Sequence, residues 1–356
     1  MKTLISLLFV LASLPVHAAS WQWPNQIKQD EQLIFFPAEA YYDANLSNWH
    51  IDVHGWIFEP EVLGEISDLF RQSLGLASDH DTETKDLFKK RAHWFIVDNE
   101  RGKRIKIRLG SQVFELKPST SNGHINSTLN INTSYFKQLS KSFAEPIIPF
   151  NAITAKKDER IFSGQIHLVP AKGISVISDI DDTIKVSNVT NKQELLANTF
   201  LRPFTAAPGM TTLYKTWQTQ DKAVFHYVSA SPWQLYPVLT EFMQKNNFPP
   251  GLFHMKSFRW KDKSFFNLFS DPIEYKIKII ESILQRYPLR EFILVGDSGE
   301  KDPEVYGMIT RKYPKQIKRI LIRQVGNKNG KQRFTEAFAK IKESKWQVFS
   351  ATNNIE

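Results

Sequence analysis

From Gly173 onward, short apolar runs alternate with helical patterns, and this rhythm restricts the fold more than any other feature of the chain. The apolar runs are ISVIS, AVFHYVS, GLFHMKSF, EFILVG and IKRILIRQV. Helical periodicity falls between them at MTTLYKTWQ and PWQLYPVLTEFMQK, then from Pro272 and again from Pro303. Strands apolar on both faces need cover on both faces, and intervening helices provide it. The segment therefore predicts an α/β domain with a doubly wound parallel sheet. Ligands of such sheets bind outside the carboxyl ends of the strands.

The preceding stretch, about Trp21 to Pro170, follows a period of two. NWHIDVHGWIF, HWFIVDNE, RIKIRLGSQVFELK, STLNINTS and FSGQIHLVP alternate apolar with polar residues between Gly and Asn breaks. One helix interrupts them at PEVLGEISDLFRQSLGL. The expectation is a mainly β N-terminal domain over residues 19–170, a small β-sandwich or open barrel, followed by the parallel-sheet domain over residues 171–356. Within the first domain, His50, Asp52 and His54 share one strand face. That spacing resembles a metal site, but strand alternation alone places them as outward polar residues beside Trp49, Ile51 and Val53. Asn45-Leu46-Ser47 matches a glycosylation acceptor, a pattern too short to carry weight.

Residues 1–18 read as a secretory signal peptide: Lys2 is the positive start, Leu4 to Leu14 the apolar stretch, and Val16-His17-Ala18 the small-residue cleavage pattern. The apolar stretch is too short to span a bilayer, and the mature chain has no other spanning run. The expectation is an exported protein, periplasmic or secreted. With 356 residues there is room for two domains, and 42% hydrophobic with 23% charged residues excludes a disordered chain. The absence of cysteine excludes disulfides, thiolate metal sites and cysteine nucleophiles. Removing residues 1–18 takes away one charge, Lys2, so the net charge falls from +9 to +8. A basic exported chain can meet nucleic acid, anionic lipid or phosphorylated substrates. No basic-helix or aromatic-strand signature supports nucleic acid.

Asp179, Asp181 and Thr183 form a D-x-D-x-T pattern at the end of ISVIS. In AVFHYVSAS the apolar run AVFHYV is followed by Ser229, a hydroxyl suited to a phosphate oxygen, and in EFILVGDSGEKDP the run EFILVG is followed by Asp297 with Asp302 five residues on. Between them, SDPIEYKIKIIESIL opens a helix with Asp271 as N-cap, Pro272 first and Glu274 completing a capping box, which puts Lys276 in the first turn. Asp, Ser, Lys and an Asp pair thus appear in order, each at a strand or helix end on one side of the sheet. Taken singly, several have structural readings: Asp302 and Ser231 as helix N-caps, His226 as packed core, Lys276 as a solvent-facing lysine, Asp182 as solvated or bonded to its turn.

The four segments resemble motifs one to four of the haloacid-dehalogenase-like phosphohydrolases. More specifically, SVISDIDDTIK, NTF, PGM, FHYVSASPWQLY, DPIEYK and LVGDSGEKDPEVY resemble the catalytic domain of the actin-patch phosphatidate phosphatase family, relatives of the lipins. The resemblance runs from about Ser175 to Val325, and HGWIFEPE extends it into the first domain. Lipins carry Gly at the position of Asp182, so the match is nearer the actin-patch branch. The resemblance implies that Asp179 attacks phosphorus and that Asp181 is acid and then base. It implies Mg2+ on Asp179, the Asp181 backbone carbonyl, Asp297 and Asp302, the last directly or through water. It further implies that Thr183, Ser229 and Lys276 hold the phosphoryl oxygens.

The implied substrate is phosphatidate at a membrane surface, bound peripherally. FRWKDKSFFNLFSD interleaves Arg259, Lys261 and Lys263 with Trp260 and four phenylalanines, a mixture that suits contact with membrane or substrate. The competing reading is a loop packed over the site with its aromatics inside. Two alternatives stand beside the lipid phosphatase: the same chemistry on another lipid or a soluble phosphomonoester, and a non-catalytic lipid-binding module.

Overall fold

The computed structural model describes residues 27–43, 46–77, 80–142, 147–257, 273–326, 331–352 and 355. The leader read at residues 1–18, Asn45, the capping pair Asp271 and Pro272, and Arg259, Trp260, Lys261 and Lys263 lie outside these residues.

The N-terminal half is mainly β. Strands β1 (Gln32–Phe35), β2 (Ala38–Asp43), β3 (Asn48–Pro60), β4 (Val97–Asn99), β5 (Lys106–Leu109), β6 (Gln112–Glu115), β7 (His124–Asn132), β8 (Ile147–Ala152) and β9 (Ser163–Leu168) form one nine-stranded sheet. Helices α1 (Gly64–Ser73), α2 (Thr82–Ala92) and α3 (Thr133–Lys141) lie between them. The long strand β3 organises the sheet, pairing β1 and β2 along one edge and β7 and β4 along the other. Its alternation buries Ile51 and Val53 beside Ile125, Leu129 and Ile131 of β7, in a core completed by Ile107, Ile148 and Ile166.

The C-terminal half has six parallel strands: β10 (Gly173–Ser178), β11 (Val224–Pro232), β12 (Gly251–Lys256), β13 (Arg290–Asp297), β14 (Ile317–Arg323) and β15 (Trp346–Phe349). The helices are α4 (Lys192–Phe200), α5 (Met210–Gln220), α6 (Tyr236–Lys245), α7 (Ile273–Arg286), α8 (Asp302–Lys312) and α9 (Lys331–Ala337). Val176 and Val295 pack with Leu196, Tyr214 and Leu239 of α4 to α6. Ile177 and Leu294 pack with Ile280, Val305 and Phe334 of α7 to α9 on the opposite face. The strand order β12-β11-β10-β13-β14-β15 reverses its direction of winding at β10. A crevice therefore opens at the carboxyl end of β10, between β11 and β13.

The two halves share a core. Phe36, Trp56 and Phe58 of the first sheet, with Phe70 of α1 and Phe88 of α2, join the cluster on the α4-to-α6 side. Here one expectation changes. His50, Asp52 and His54 do lie opposite Ile51 and Val53, but part of that face meets the C-terminal half rather than solvent. His54 packs edge-on to Trp233, and Asp52 pairs with Arg286 of α7 at 2.9 Å. Among the described residues the three form no metal-ligand group; His54 instead shares a 2.9 Å hydrogen bond with His124. Period-two alternation separates faces but cannot say what covers the second one.

Four histidines near this interface are held neutral by burial. His124 and His254 are each pushed down to about 4, and His54 and His226 lie well below the usual imidazole value. A base whose folded pKa is depressed refuses protons that the unfolded chain accepts. Its stability contribution is therefore lost as pH falls through roughly 6.5 toward 4. Replacing His124 by Gln removes that penalty at one position. The stability advantage of wild type over His124→Gln should shrink, or reverse, by about 3 kcal/mol between pH 7 and pH 4. Urea titrations of both proteins across that range test this, and a constant difference would contradict it.

Candidate active site

The register of the parallel sheet sets Ser178 of β10 opposite Tyr227 of β11 and Val295 of β13. Asp179 follows β10 directly, while Ser229 and Asp297 lie two residues beyond those partners, within β11 and at the last position of β13. The Asp179 amide donates to the Val295 carbonyl at 2.9 Å, which extends the ladder by one residue and fixes the start of the turn. Gly296 is required by close approach: a β-carbon there would stand 2.2 Å from Oδ2 of Asp302.

Asp179, Asp297, Glu300 and Asp302 converge, each offering an oxygen, with all of these atoms within 4.8 Å of one another. Lys276 enters from the first turns of α7. Its Nζ donates to Asp179 Oδ1 at 3.0 Å, Glu300 Oε2 at 2.8 Å and Asp302 Oδ1 at 2.7 Å. One lysine cannot neutralise this set. Burial, opposed by Lys276 and reinforced by Asp302, Glu300 and Asp297, pushes the Asp179 carboxyl well above the usual carboxylate range. Burial together with Asp302 and Glu300 does the same to Asp297.

Two oxygens in this cluster, Asp179 Oδ2 and Asp297 Oδ2, are buried without a hydrogen-bond partner among the described residues. Buried carboxylate oxygens are normally bonded, and unpaired ones beside further carboxylates fit a hard divalent cation. Thr183 Oγ1 is likewise buried and without a partner. Ser229 is buried, and its hydroxyl oxygen accepts from the Ser231 amide at 3.0 Å, which leaves the proton to donate. Lys276 donates to the carboxylates themselves, and the Thr183 and Ser229 hydroxyls keep donor capacity in the turn after β10 and within β11.

Asp181 stands apart from the acidic cluster. Its Oδ1 takes the Lys185 ammonium at 2.7 Å and the Ser187 hydroxyl at 2.6 Å, and its Oδ2 takes the Ser231 hydroxyl at 2.9 Å. Burial opposes the ionised form, but Lys185 and these hydroxyls outweigh it and hold Asp181 below the usual carboxylate range. Asp182 differs again. It adopts a left-handed backbone (φ 55°), and its carboxylate accepts from the amides of Ser187, Asn188 and Val189 at 2.7, 3.0 and 2.7 Å. It is buried rather than solvated, and it ties the turn.

Residues 174–324 match the family model described as the phosphatidate phosphatase APP1 catalytic domain. This stretch is similar to that catalytic domain. Phosphatidate phosphatase APP1 of Saccharomyces cerevisiae is 37% identical over 164 residues, covering 45% of this chain and 27% of the yeast protein. An uncharacterized protein of Schizosaccharomyces pombe is 26% identical over 195 residues, covering 54% of this chain and 32% of its own length. The chain therefore aligns with about a third or less of the length of these relatives. A solved ferredoxin-NADP+ reductase from Plasmodium falciparum aligns over 85% of this chain and 98% of its own with 10% identity, at a TM-score of 0.18. That score is too low to indicate a common fold.

Within the APP1-type segment, the structure brings together Asp179, Lys276, Asp297 and Asp302, with Thr183 and Ser229 at adjoining turn and strand ends. Two capping expectations change. Asp302 is the first residue of α8 rather than its cap, and its Oδ2 accepts from the Asp297 amide at 3.1 Å. Ser231 lies within β11 and bonds Asp181 instead of capping a helix. His226 is buried within β11, as its place in an apolar run suggested. Sequence reasoning missed Glu300, Lys185 and Ser187. The signal for Glu300 was present in GDSGEKD, where a third carboxylate stands between the two that were chosen. Lys185 and Ser187 follow the acidic motif immediately, but only the turn tied by Asp182 folds them back onto Asp181.

Proposed function

We propose that this protein is a Mg2+-dependent phosphatidate phosphatase that releases diacylglycerol and phosphate through an aspartyl-phosphate. The observation that carries the reading is the pair of partnerless carboxylate oxygens, Asp179 Oδ2 and Asp297 Oδ2, beside Lys276 in a segment similar to the APP1 catalytic domain. On this reading residues 171–356 are a doubly wound catalytic domain of the haloacid-dehalogenase-like type, and residues 19–170 a mainly β accessory domain. Export to the periplasm or beyond rests on the pattern at residues 1–18.

Asp179 attacks phosphorus, and the bond from phosphorus to the substrate alcohol breaks. Asp181 passes a proton to the departing alkoxide. The arriving phosphate adds negative charge near Asp181, which favours its protonated, donating form. In the second half, Asp181 takes a proton from the water that cleaves the aspartyl-phosphate, and Lys185, Ser187 and Ser231 favour the ionised form this needs. Thr183, Ser229 and Lys276 hold the phosphoryl oxygens throughout. The residues that would hold Mg2+ are Asp179, Asp297, the Asp181 backbone carbonyl and Asp302. Both Asp302 oxygens already accept hydrogen bonds, which favours a contact through water. Bound there, the cation offsets charge on the transferring phosphoryl group.

Phosphatidate, lysophosphatidate, diacylglycerol pyrophosphate and soluble sugar phosphates, offered with and without Mg2+, test the proposal through released phosphate. Phosphatidate in liposomes should be the best substrate, and chelation should lower its turnover by about 10³-fold or more. Preference for a sugar phosphate would replace the substrate, and liposome binding without release would replace the enzyme by a binding module.

A further inference from the structure

Asp181 is held by residues that lie outside the catalytic set, and the holding extends into the N-terminal half. The Lys185 ammonium sits 2.7 Å from Asp181 Oδ1, 2.5 Å from the Ser187 hydroxyl, and 4.8 Å from the centre of the Phe204 ring. Arg91 of α2 also faces that ring, with its guanidinium carbon 3.9 Å from the centroid, and Phe242 meets the ring edge-on. Arg91 is buried and donates to the carbonyls of Thr199 at 2.7 Å and Asn198 at 3.3 Å, which close the end of α4. Asn198 in turn donates to the Ser187 carbonyl at 3.1 Å. Two paths therefore run from α2 to Asp181. One passes through the Phe204 ring to Lys185, the other through the end of α4 to Ser187.

Such an arrangement has a physical consequence. A lysine has four rotatable side-chain bonds, and burial among one carboxylate, one hydroxyl and one ring face leaves its ammonium a single well-satisfied place. With Lys185 fixed, Asp181 is gripped on both oxygens, from its own turn on one side and by Ser231 on the other. Ser231 also donates its amide to Ser229, so the grip is in register with the residue that meets the phosphoryl group.

We propose that Lys185 is a positioning residue that aims Asp181 at the leaving-group oxygen, and that Arg91 and Phe204 set Lys185, which makes the N-terminal half part of the catalytic apparatus. The inference rests on the acid–base role given above to Asp181. It gives α2 a function separate from stability and does not touch the choice of substrate.

The test uses the leaving group. An alkoxide needs a proton from Asp181, whereas p-nitrophenolate leaves without one, and kcat/KM covers the steps up to alcohol release. With the full-length protein, Lys185→Met should lower kcat/KM for an alkyl phosphate by about 100-fold and for p-nitrophenyl phosphate by less than about fivefold. Phe204→Leu, which keeps apolar volume but removes the shared ring face, should show the same selective loss at about tenfold. Lys185→Arg should recover part of the alkyl rate. Should Lys185→Met prove poorly folded, Ser231→Ala loosens the other oxygen of Asp181 and must show the selective loss by itself. Equal losses on both substrates, or none, would overturn the proposal. A wild-type protein that hydrolyses neither ester would instead overturn the phosphatase reading, on which the positioning role depends.

Discussion

Asp179→Asn should abolish phosphate release, by about 10⁴-fold or more, and leave the protein folded. The amide has the shape of the carboxylate and keeps an oxygen for Lys276, now 3.0 Å from Oδ1, but it has no anionic oxygen to attack phosphorus. The fold should not suffer. Asp179 is a buried carboxyl pushed well above its usual range, so its ionised form is costly without a cation, and the neutral amide relieves that cost. In chelator the variant should melt at or above the wild-type temperature. In Mg2+ the wild type should gain stability that the variant gains less of, because a ligand stabilises the folded form that binds it. Thermal melts with and without Mg2+, read beside the rate, check both parts. A rate within tenfold of wild type would refute the nucleophile assignment.

Lys276→Met should have the second largest effect, and its size should depend on conditions. The lysine is buried among three carboxylates, and removing one partner of a buried charge set costs about 3–5 kcal/mol. The carboxyls shed charge on protonation, so the deficit is greatest at high pH and shrinks as pH falls. A divalent cation supplies positive charge to the same oxygens, so millimolar Mg2+ should restore part of the loss at pH 8. Turnover should fall by about 10²–10³-fold in Mg2+, since one donor to the transferring phosphoryl group is gone. Urea titrations at pH 6 and pH 8, with Mg2+ and with chelator, measure this. Equal stability under all four conditions would mean that Lys276 does not balance the cluster.

The parallel-sheet half was legible because each of its central strands is an unbroken apolar run and each run ends in a polar residue that chemistry can use. Asp179, Ser229 and Asp297 follow from that rule alone, and Lys276 from the helix that begins just before it. The holding residues were not legible in the same way. Lys185 and Ser187 look like the ordinary polar end of a loop until Asp182, in a left-handed conformation, turns the chain back. Helix α2 was missed because TETKDLFKKRA carries few apolar residues; Phe88 and Ala92 are buried, but so is Arg91. Helix α4 was missed because KQELLANTF is too short to show a stripe. His54 was misplaced for another reason: it sits on a strand face covered by Trp233 from a distant part of the chain, and periodicity carries no information about such a partner.

The contact between Glu39 and Tyr287 has a consequence in time. The Tyr287 hydroxyl donates to the Glu39 carboxylate at 2.8 Å across 248 residues of sequence, and the adjoining Arg286 pairs with the same carboxylate. At a synthesis rate of about 5–20 residues per second, strand β2 emerges roughly 10–50 s before its partner exists. Early in that interval the shared core lacks its C-terminal side, and Phe36 has yet to meet Trp233 and Tyr236. A chain joined over such a span closes late and slowly, because the entropy of a very long loop must be overcome before the contact repays it. The Glu39–Tyr287 contact thus joins the two halves only after most of the chain has been made.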